Sequence, residues 1–498
     1  MYKHTVLLKI GYGRFHYELM AACALSIIAV GLQNALSSYI FPAAQCELKL
    51  TSFELGLLNI SFLAGGIASC FLWGNAADMN GRRKILIATH FSNVVATVVC
   101  SLNPYKISLI ACRLANGFLI GAPGSIIFSY VAEFQPSKYQ QASICYCGLF
   151  FTLSWLILPV TASFVLPLEI DYELGGFLIL TPWRLFMIFL TVPDLLAAFW
   201  FVRMPESPKF YAAKGETNKA LVVLRRMYAS NTGCARESFP VKRLINPETV
   251  EMHAPEGVSC ASRTLRVLRK MVGQSRDLFR PPLVCVTLLT CGIMFANMFG
   301  VFGLGLWFPE IFIRFEHFHK LHPNGTASLK ELSAFNYVKN ATCEPSLDSS
   351  VIHNTVAMAL SAILYNLIAG VLSTKIHVKT ISTVSMLIGG LCAASIYFLK
   401  TPVQNLVVAC IFQATMITAN TTVGAIGVEL FPTQIAVMAL CVIICAGRIG
   451  AVASNFIFGY FIGSSCEVPI FVVAGVVLAG AVLCSVVPRE KKICGGEW

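Results

Sequence analysis

Three charged residues lie inside long apolar runs of this 498-residue chain: Arg113, Asp194 and Arg448. A charge near the centre of a bilayer costs roughly 2.5–3.5 kcal/mol on insertion scales, so each requires a partner or a task. Arg448 can bind an anionic group of a solute; in a structural role it would take a salt bridge or backbone carbonyls. Asp194, just after Pro193, is expected to make a shielded structural contact, with Asn93 at similar depth as one partner. Gln33, Asn34, Asn297, Tyr365, Gln413 and Asn420 fall near the middles of apolar runs, and Trp155 could supply an aromatic wall. Such a set can line a solute cavity or tie helices together by hydrogen bonds. No paired acids, Ser/His set or metal-ligand spacing is read at one membrane depth. The expectation is therefore no enzyme, no cofactor and no metal.

The segment GNAADMNGRRK, residues 74–84, joins two apolar runs. Gly81 permits a tight turn. Arg82, Arg83 and Lys84 would hold the turn at a membrane surface, and Asp78 can face the positive N-terminal end of a helix from elsewhere in the chain. A plain cationic anchor explains the three cations but not Gly74, Gly81 and Asp78 at their spacing.

The elements that must position these residues follow from composition. The chain is 56% hydrophobic and 12% charged, against about 25% charged for a soluble domain, which excludes an ordinary soluble enzyme. Its apolar residues fall in blocks of about 20, the length that crosses a bilayer. Twelve spans are read, at 20–43, 54–73, 85–102, 106–129, 142–165, 184–202, 283–307, 351–374, 378–399, 402–428, 434–461 and 467–488. The expected fold is an all-α membrane protein with two similar six-helix halves, the pattern of carriers built from repeats around a midplane site. The organisation is a cytoplasmic N-terminus (1–19), a first bundle (20–202), a cytoplasmic central loop (203–282), a second bundle (283–488) and a cytoplasmic tail (489–498). An outer loop, 309–350, interrupts the second bundle.

Charge sets the orientation. With the N-terminus inside, Lys and Arg number 27 on the inner side and 8 on the outer, as the positive-inside rule requires. The net charge of +12 thus reads as topology rather than as a nucleic-acid surface. The sequons at Asn324 and Asn340 both fall outside, so N-glycans are expected there. A third, at Asn420, lies inside a span and should be unused. The 19 cysteines lie mostly in apolar runs, where a thiol behaves as a small hydrophobe. Cys46, Cys343 and Cys466 fall outside, and one pair could form a disulfide. His317, His319 and His322 in the outer loop read as a solvated helical face. Residues 262–272, SRTLRVLRKMV, would form a basic amphipathic helix that either lies on the anionic inner leaflet or packs under the bundle.

The 74–84 segment resembles the G-x-x-x-D-x-x-G-R-R/K signature of the major facilitator superfamily. ACRLANGFLIGAPGS, with Arg113, Gly117 and Gly121, resembles its fourth span, where Arg113 and the glycines are structural. Gly117 and Gly121 also form a close-packing GxxxG face. YVAEF (Glu133), PESP (Glu206), VELFPT (Glu429) and GRIG (447–450) resemble further motifs in the superfamily's order. The resemblance implies the major facilitator fold with an inner gate of Gly74, Asp78, Gly81, Arg82, Arg83, Glu133, Glu206 and Glu429. It also implies that Asp78 latches onto span eleven, starting near Thr433.

Within the superfamily, GYGRFHYEL (11–19), CFLWGNAAD (70–78), IIFSYVAEF (126–134), TPWRLF (181–186) and WFPEIF (307–312) resemble the synaptic vesicle glycoprotein 2-like group, insect-type members included. That group stands near organic-ion and sugar porters. There are departures. Val30-Gly31-Leu32-Gln33 stands where relatives carry an acidic D-G-x-E, Gln140 and Lys209 stand where relatives carry arginine, and STKIHVKT (373–380) lacks the gate glycine and acid. The expected function is transport of a small organic solute by alternating access. The alternative is a non-transporting vesicle-type glycoprotein that acts through its loops. The expected partners are the lipid bilayer, a solute and N-glycans, with the chain a monomer in the plasma membrane or a vesicle membrane.

Overall fold

The structure, a computed structural model, describes residues 7–170, 172–174, 178–242, 244, 273, 276, 278–322, 349–373, 375–431, 436–462 and 467–488. Among them are twelve helical spans long and apolar enough to cross a membrane. The first five are α1 (Arg14–Leu48), α2 (Ser52–Asn80), α3 (Arg82–Ser101), α4 (Lys106–Phe134) and α5 (Ser137–Val165). The sixth is broken into α6 (Pro182–Phe189) and α7 (Val192–Arg203), with Pro193 in the first turn of α7. After the short helices α8 (Pro208–Ala213) and α9 (Thr217–Thr232) come α10 (Val284–Leu321), α11 (Ser349–Leu372), α12 (Val378–Ser395), α13 (Pro402–Leu430), α14 (Ala436–Phe461) and α15 (Glu467–Val486).

Helices α1 to α7 pack chiefly on one another, as do α10 to α15, giving two halves. The halves meet where α2 lies against α14, α5 against α11 and α1 against α10. Successive spans alternate in direction, so the bundle has a near face, where α1 begins, and a far face, where α1 ends. Hydrocarbon gives no drive for apolar side chains to leave lipid for protein, so close approach of backbones must hold such helices together. It does so between α2 and α4. A Cβ at Gly117 would overlap the Phe62 carbonyl, and one at Gly121 would overlap the Ser69 hydroxyl.

Local sequence sets the ends. Thr51 and Glu54 form a capping box at the start of α2, the Glu54 carboxylate accepting from the Thr51 N–H at 2.8 Å. Gly81, at φ +104°, separates α2 from α3. Helix α1 begins at Arg14 and α10 runs on to Leu321, well into the segment read as outer loop. The sequence reading missed this extension because it is amphipathic. Glu310 and Arg314, four residues apart, pair at 2.9 Å on its inner side. His317 and His319 lie on its last turns. A hairpin of β1 (Tyr172–Leu174) and β2 (Leu178–Leu180), with Glu173 opposite Ile179, sits between α5 and α6, where the all-α reading had placed no strand. In the central loop, α9 docks under the first half, and its Asn231 accepts from the Phe15 N–H at 3.0 Å and donates to the Gly11 carbonyl at 2.9 Å.

Candidate functional site

Between the halves lies a cavity of about 20 Å³, room for one or two waters. Its walls come from five helices of both halves: Ser38 and Tyr39 of α1, Trp155 of α5, Gly305 of α10, Thr355 of α11 and Gln413 of α13. Three of these present buried polar atoms with no hydrogen-bond partner, namely Ser38 Oγ, Trp155 Nε1 and both amide atoms of Gln413. An orphaned buried polar group costs about 1–3 kcal/mol. Three such residues surround one small opening whose exposed surface is mostly apolar.

The other sequence candidates divide. Arg448 of α14 reaches across the boundary and donates through Nη1 to the Gly66 carbonyl of α2; its guanidinium has no ion pair among the described residues. Its Nη2 lies near Gly124 of α4. Asn297 donates to the Met416 carbonyl at 3.1 Å, within the second half, and its Oδ1 is unpaired. Asn420 likewise has an unpaired buried oxygen. Asn34 donates at 2.7 Å to the Val30 carbonyl of its own helix. Tyr365 bonds Ser385 of α12 at 3.2 Å and so points into the second half rather than the cavity.

Gln33 is a correction too. It is fully buried inside the first half, where its Oε1 accepts from Arg113 at 2.9 Å and its Nε2 donates to Thr97 at 3.3 Å. The same arginine donates to the Gln33 carbonyl at 2.7 Å and to Ser37 at 3.1 Å. Thr97 accepts from Asn116, which also donates to Asn93 at 2.8 Å, and Asn93 donates to Asp194 at 3.0 Å. Asp194 thus has the predicted partner, and a second one that was not predicted: His90 Nδ1 lies 2.7 Å from its other oxygen. His90 Nε2 is in turn 2.7 Å from Ser26 Oγ. The sequence reading expected no Ser/His set, yet Ser26, His90 and Asp194 form a hydrogen-bonded line, all fully buried. All three are closed off from solvent in this conformation.

At the near face, the loop between α2 and α3 is held by the first half itself. Both Glu206 oxygens accept from the Arg83 N–H at 3.2 Å, and Arg83 donates to the Phe201 and Val202 carbonyls at 2.9 and 2.6 Å. Gly81 faces Glu206 with no room for a Cβ. Arg82 bridges Asp78 at 2.7 Å and Glu133 at 3.1 Å. The Asp78 side chain is 68% exposed, and its ion pair is to Arg82 of its own loop rather than to α14. The other end of the expected latch, near Thr433, lies outside the described residues. Gly74 has open space around it and marks no close approach. Thr433 and the glycosylation candidates Asn324 and Asn340 lie outside the described residues, as do segment 262–272, Cys343, Cys466 and the side chains of Cys46 and Glu429.

The far face is closed across the halves. Gly56 of α2 and Gly459 of α14 meet backbone to backbone, a Cβ on Gly56 falling 3.0 Å from the Gly459 Cα. Asn59 donates to Asn455 at 3.0 Å. Arg314 of α10 donates to Ser52 at 3.3 Å and to the Ile462 carbonyl at 3.0 Å. Sequence reasoning named none of these. It also missed buried Arg184, which pairs with Glu47 and donates to the Ser101 and Asn103 carbonyls, joining the ends of α1, α3 and α6. Its only signal was the TPWRLF motif.

A fold of two six-span halves, closed at one end, around a small opening lined from both is that of a membrane carrier. The chain belongs to the Major Facilitator Superfamily, whose sequence profile matches residues 23–454, and it is a multi-pass membrane protein. It is similar to synaptic vesicle glycoprotein 2A of Rattus norvegicus, at 26% identity over 62% of this chain; the match spans 43% of that relative's own length. It is also similar to synaptic vesicle glycoprotein 2B of Homo sapiens, at 22% identity over 98% of this chain and 85% of that one. Among solved structures it resembles a D-xylose–proton symporter, with TM-score 0.65 and 14% identity over 96% of this chain and 99% of that one. The inward-open xylose transporter XylE from E. coli gives TM-score 0.65 and 15% identity over 96% and 97% of the two chains. These structural matches concern the fold alone.

Proposed function

We propose that this protein is a non-enzymatic carrier that moves a small organic solute by alternating access, with the inter-half cavity as the solute site. The observation that carries the reading is the set of orphaned polar atoms on Ser38, Trp155 and Gln413, drawn from both halves around one opening. Rocking the halves would widen that opening and expose these groups to one face at a time. Arg448, held by a single carbonyl, is the natural seat for an anionic group on the solute. The near face is cytosolic in this reading, so the conformation is closed outside, and Asp78 would engage the start of α14 when the inner mouth shuts. Asn324 and Asn340 would carry glycans on the outside, and the chain would work as a monomer.

The test is a thermal-shift screen of organic anions, cations and sugars on purified protein, followed by uptake of any hit into proteoliposomes. A stabilising solute should lose its effect in Gln413→Ala and Arg448→Ala. Uptake unchanged by Asp78→Asn would refute the latch. A second reading is a non-transporting vesicle-type glycoprotein, favoured by a cavity with room for no more than one or two waters in this conformation. Deleting 323–348, the part of the outer loop that follows α10, separates the two: a scaffold loses its partner, whereas a carrier keeps transport.

A further inference from the structure

The buried line Ser26–His90–Asp194 has no part in the carrier mechanism just described. Its distances fit a neutral imidazole beside an ionised carboxylate. An ionised Asp194 accepts at both oxygens, from Asn93 at 3.0 Å and from His90 Nδ1 at 2.7 Å. Nδ1 therefore carries a proton, and a neutral imidazole leaves Nε2 to accept the Ser26 hydroxyl at 2.7 Å. The charges then balance: Asp194 is negative, Arg113 is positive, and the amide chain Asn93–Asn116–Thr97–Gln33 joins them. Asp194 also sits in the first turn of α7, where the broken sixth span presents a helix N-terminus to its carboxylate.

We propose that His90 is a proton-binding site of the first half, and that α1 registers its occupancy through Ser26. A proton from water adds to Nε2 with no bond broken, and the network gains one positive charge beside the Asp194 carboxylate. Nε2 then donates instead of accepting. The Ser26 hydroxyl must turn its own proton elsewhere, and on a helix the acceptor four residues back is the Ala22 carbonyl. Back-bonding of this kind bends helices. Helix α1 also carries Ser38 and Tyr39 to the cavity, so a bend at Ser26 re-aims cavity walls.

Buried ionisable groups on the surrounding elements include His16, Cys23 and Tyr39 on α1, Cys100 on α3, Arg113, Tyr130 and Glu133 on α4, Cys147 on α5 and Arg184 on α6. Tyr130 is engaged with the Pro205 carbonyl at 2.6 Å, and Arg113 with Gln33 and Ser37. The ring of Phe201 of α7 stacks on His90 with centroids 6.1 Å apart. Asp194 is the one carboxylate in direct contact with His90 among the described residues.

The consequence for solute movement rests on the carrier reading; proton binding itself does not. The experiment is nitrogen-15 NMR of histidine-labelled protein in lipid nanodiscs, titrated from pH 8 to pH 5 without solute, for wild type, Ser26→Ala, His90→Gln and Asp194→Asn. Wild type should show a strongly hydrogen-bonded Nδ1 proton, and one imidazole whose Nε2 signal moves from the acceptor to the protonated position. That signal should be absent from His90→Gln, lost as a titration in Asp194→Asn and retained in Ser26→Ala. A wild-type imidazole with such an Nδ1 proton but a flat Nε2 signal across the range overturns the proposal, even if the variants fail to fold. So does an identical set of titrating signals in His90→Gln. Either result leaves the carrier reading standing, because no transport is measured.

Discussion

Asn59 of α2 and Asn455 of α14 are joined side chain to side chain at 3.0 Å across the boundary between the halves. Asn455 is the hub of that contact. Its oxygen also accepts from Trp307 at 3.2 Å, and its nitrogen donates to the Phe302 and Ala451 carbonyls at 2.9 Å each. One buried amide therefore ties α14 to α10 in its own half and to α2 in the other. Replacing both partners, as Asn59→Cys with Asn455→Cys, should give a pair that cross-links under mild oxidant and fixes the far face shut. The check is a reversible loss of solute exchange, restored by reductant, with no effect of oxidant on either single variant.

Arg113→Ala should destabilise the first half strongly. The substitution leaves Gln33 without its donor and Asp194 without the balancing charge, and breaking a buried ionic arrangement costs about 3–5 kcal/mol. Arg113→Lys should recover only part of that, because three guanidinium nitrogens are used at once. Thermal unfolding in detergent, read by tryptophan fluorescence, measures both.

Gly117→Val should prevent α2 and α4 from meeting, since even a Cβ overlaps the Phe62 carbonyl. Overpacking costs about 1–3 kcal/mol where side chains can yield, and here the obstacle is backbone. The expected outcome is loss of the monodisperse peak on size exclusion. Gly74→Ala, with open space around it, should leave that peak unchanged.

Gln413→Leu should raise the unfolding temperature while abolishing any solute-dependent stabilisation. The change removes two orphaned polar atoms from the cavity wall at nearly constant volume, and replacing an unsatisfied polar group by an apolar one is neutral or stabilising. A fall in solute-free stability would show that Gln413 is held by a partner in the folded protein.

Glu206→Ala should loosen the near-face loop by stranding the Arg83 and Ser207 N–H groups, which both donate to this carboxylate. A loss of about 1–3 kcal/mol is expected. Glu206→Gln, which keeps an acceptor oxygen, should cost less, and protease susceptibility at the Arg82–Lys84 cluster reports the difference.

Much of the fold was legible because apolar length is enough to find spans in a bilayer, and the glycine spacing of Gly117 and Gly121 already described a packing face. What could not be read was the rotation of each helix about its axis. Helix α1 is apolar all round, so nothing in its pattern says that Gln33 faces Arg113 while Ser38 faces the cavity. An amphipathic helix would have declared its inner side. The same limit hid Ser26 and His90, single polar residues 64 positions apart that meet only once α1 and α3 pack. Asn93 was found as a partner of Asp194 because matching depth in two spans is a coordinate that hydropathy does give. The extension of α10 was missed for the opposite reason: it leaves the apolar register while remaining helical.

The bridge from Arg448 to the Gly66 carbonyl has a consequence for how an unloaded molecule behaves. Parting α2 from α14 would strip a cation in mid-membrane of its single tether. The guanidinium must therefore find another acceptor before the two halves can separate along this seam.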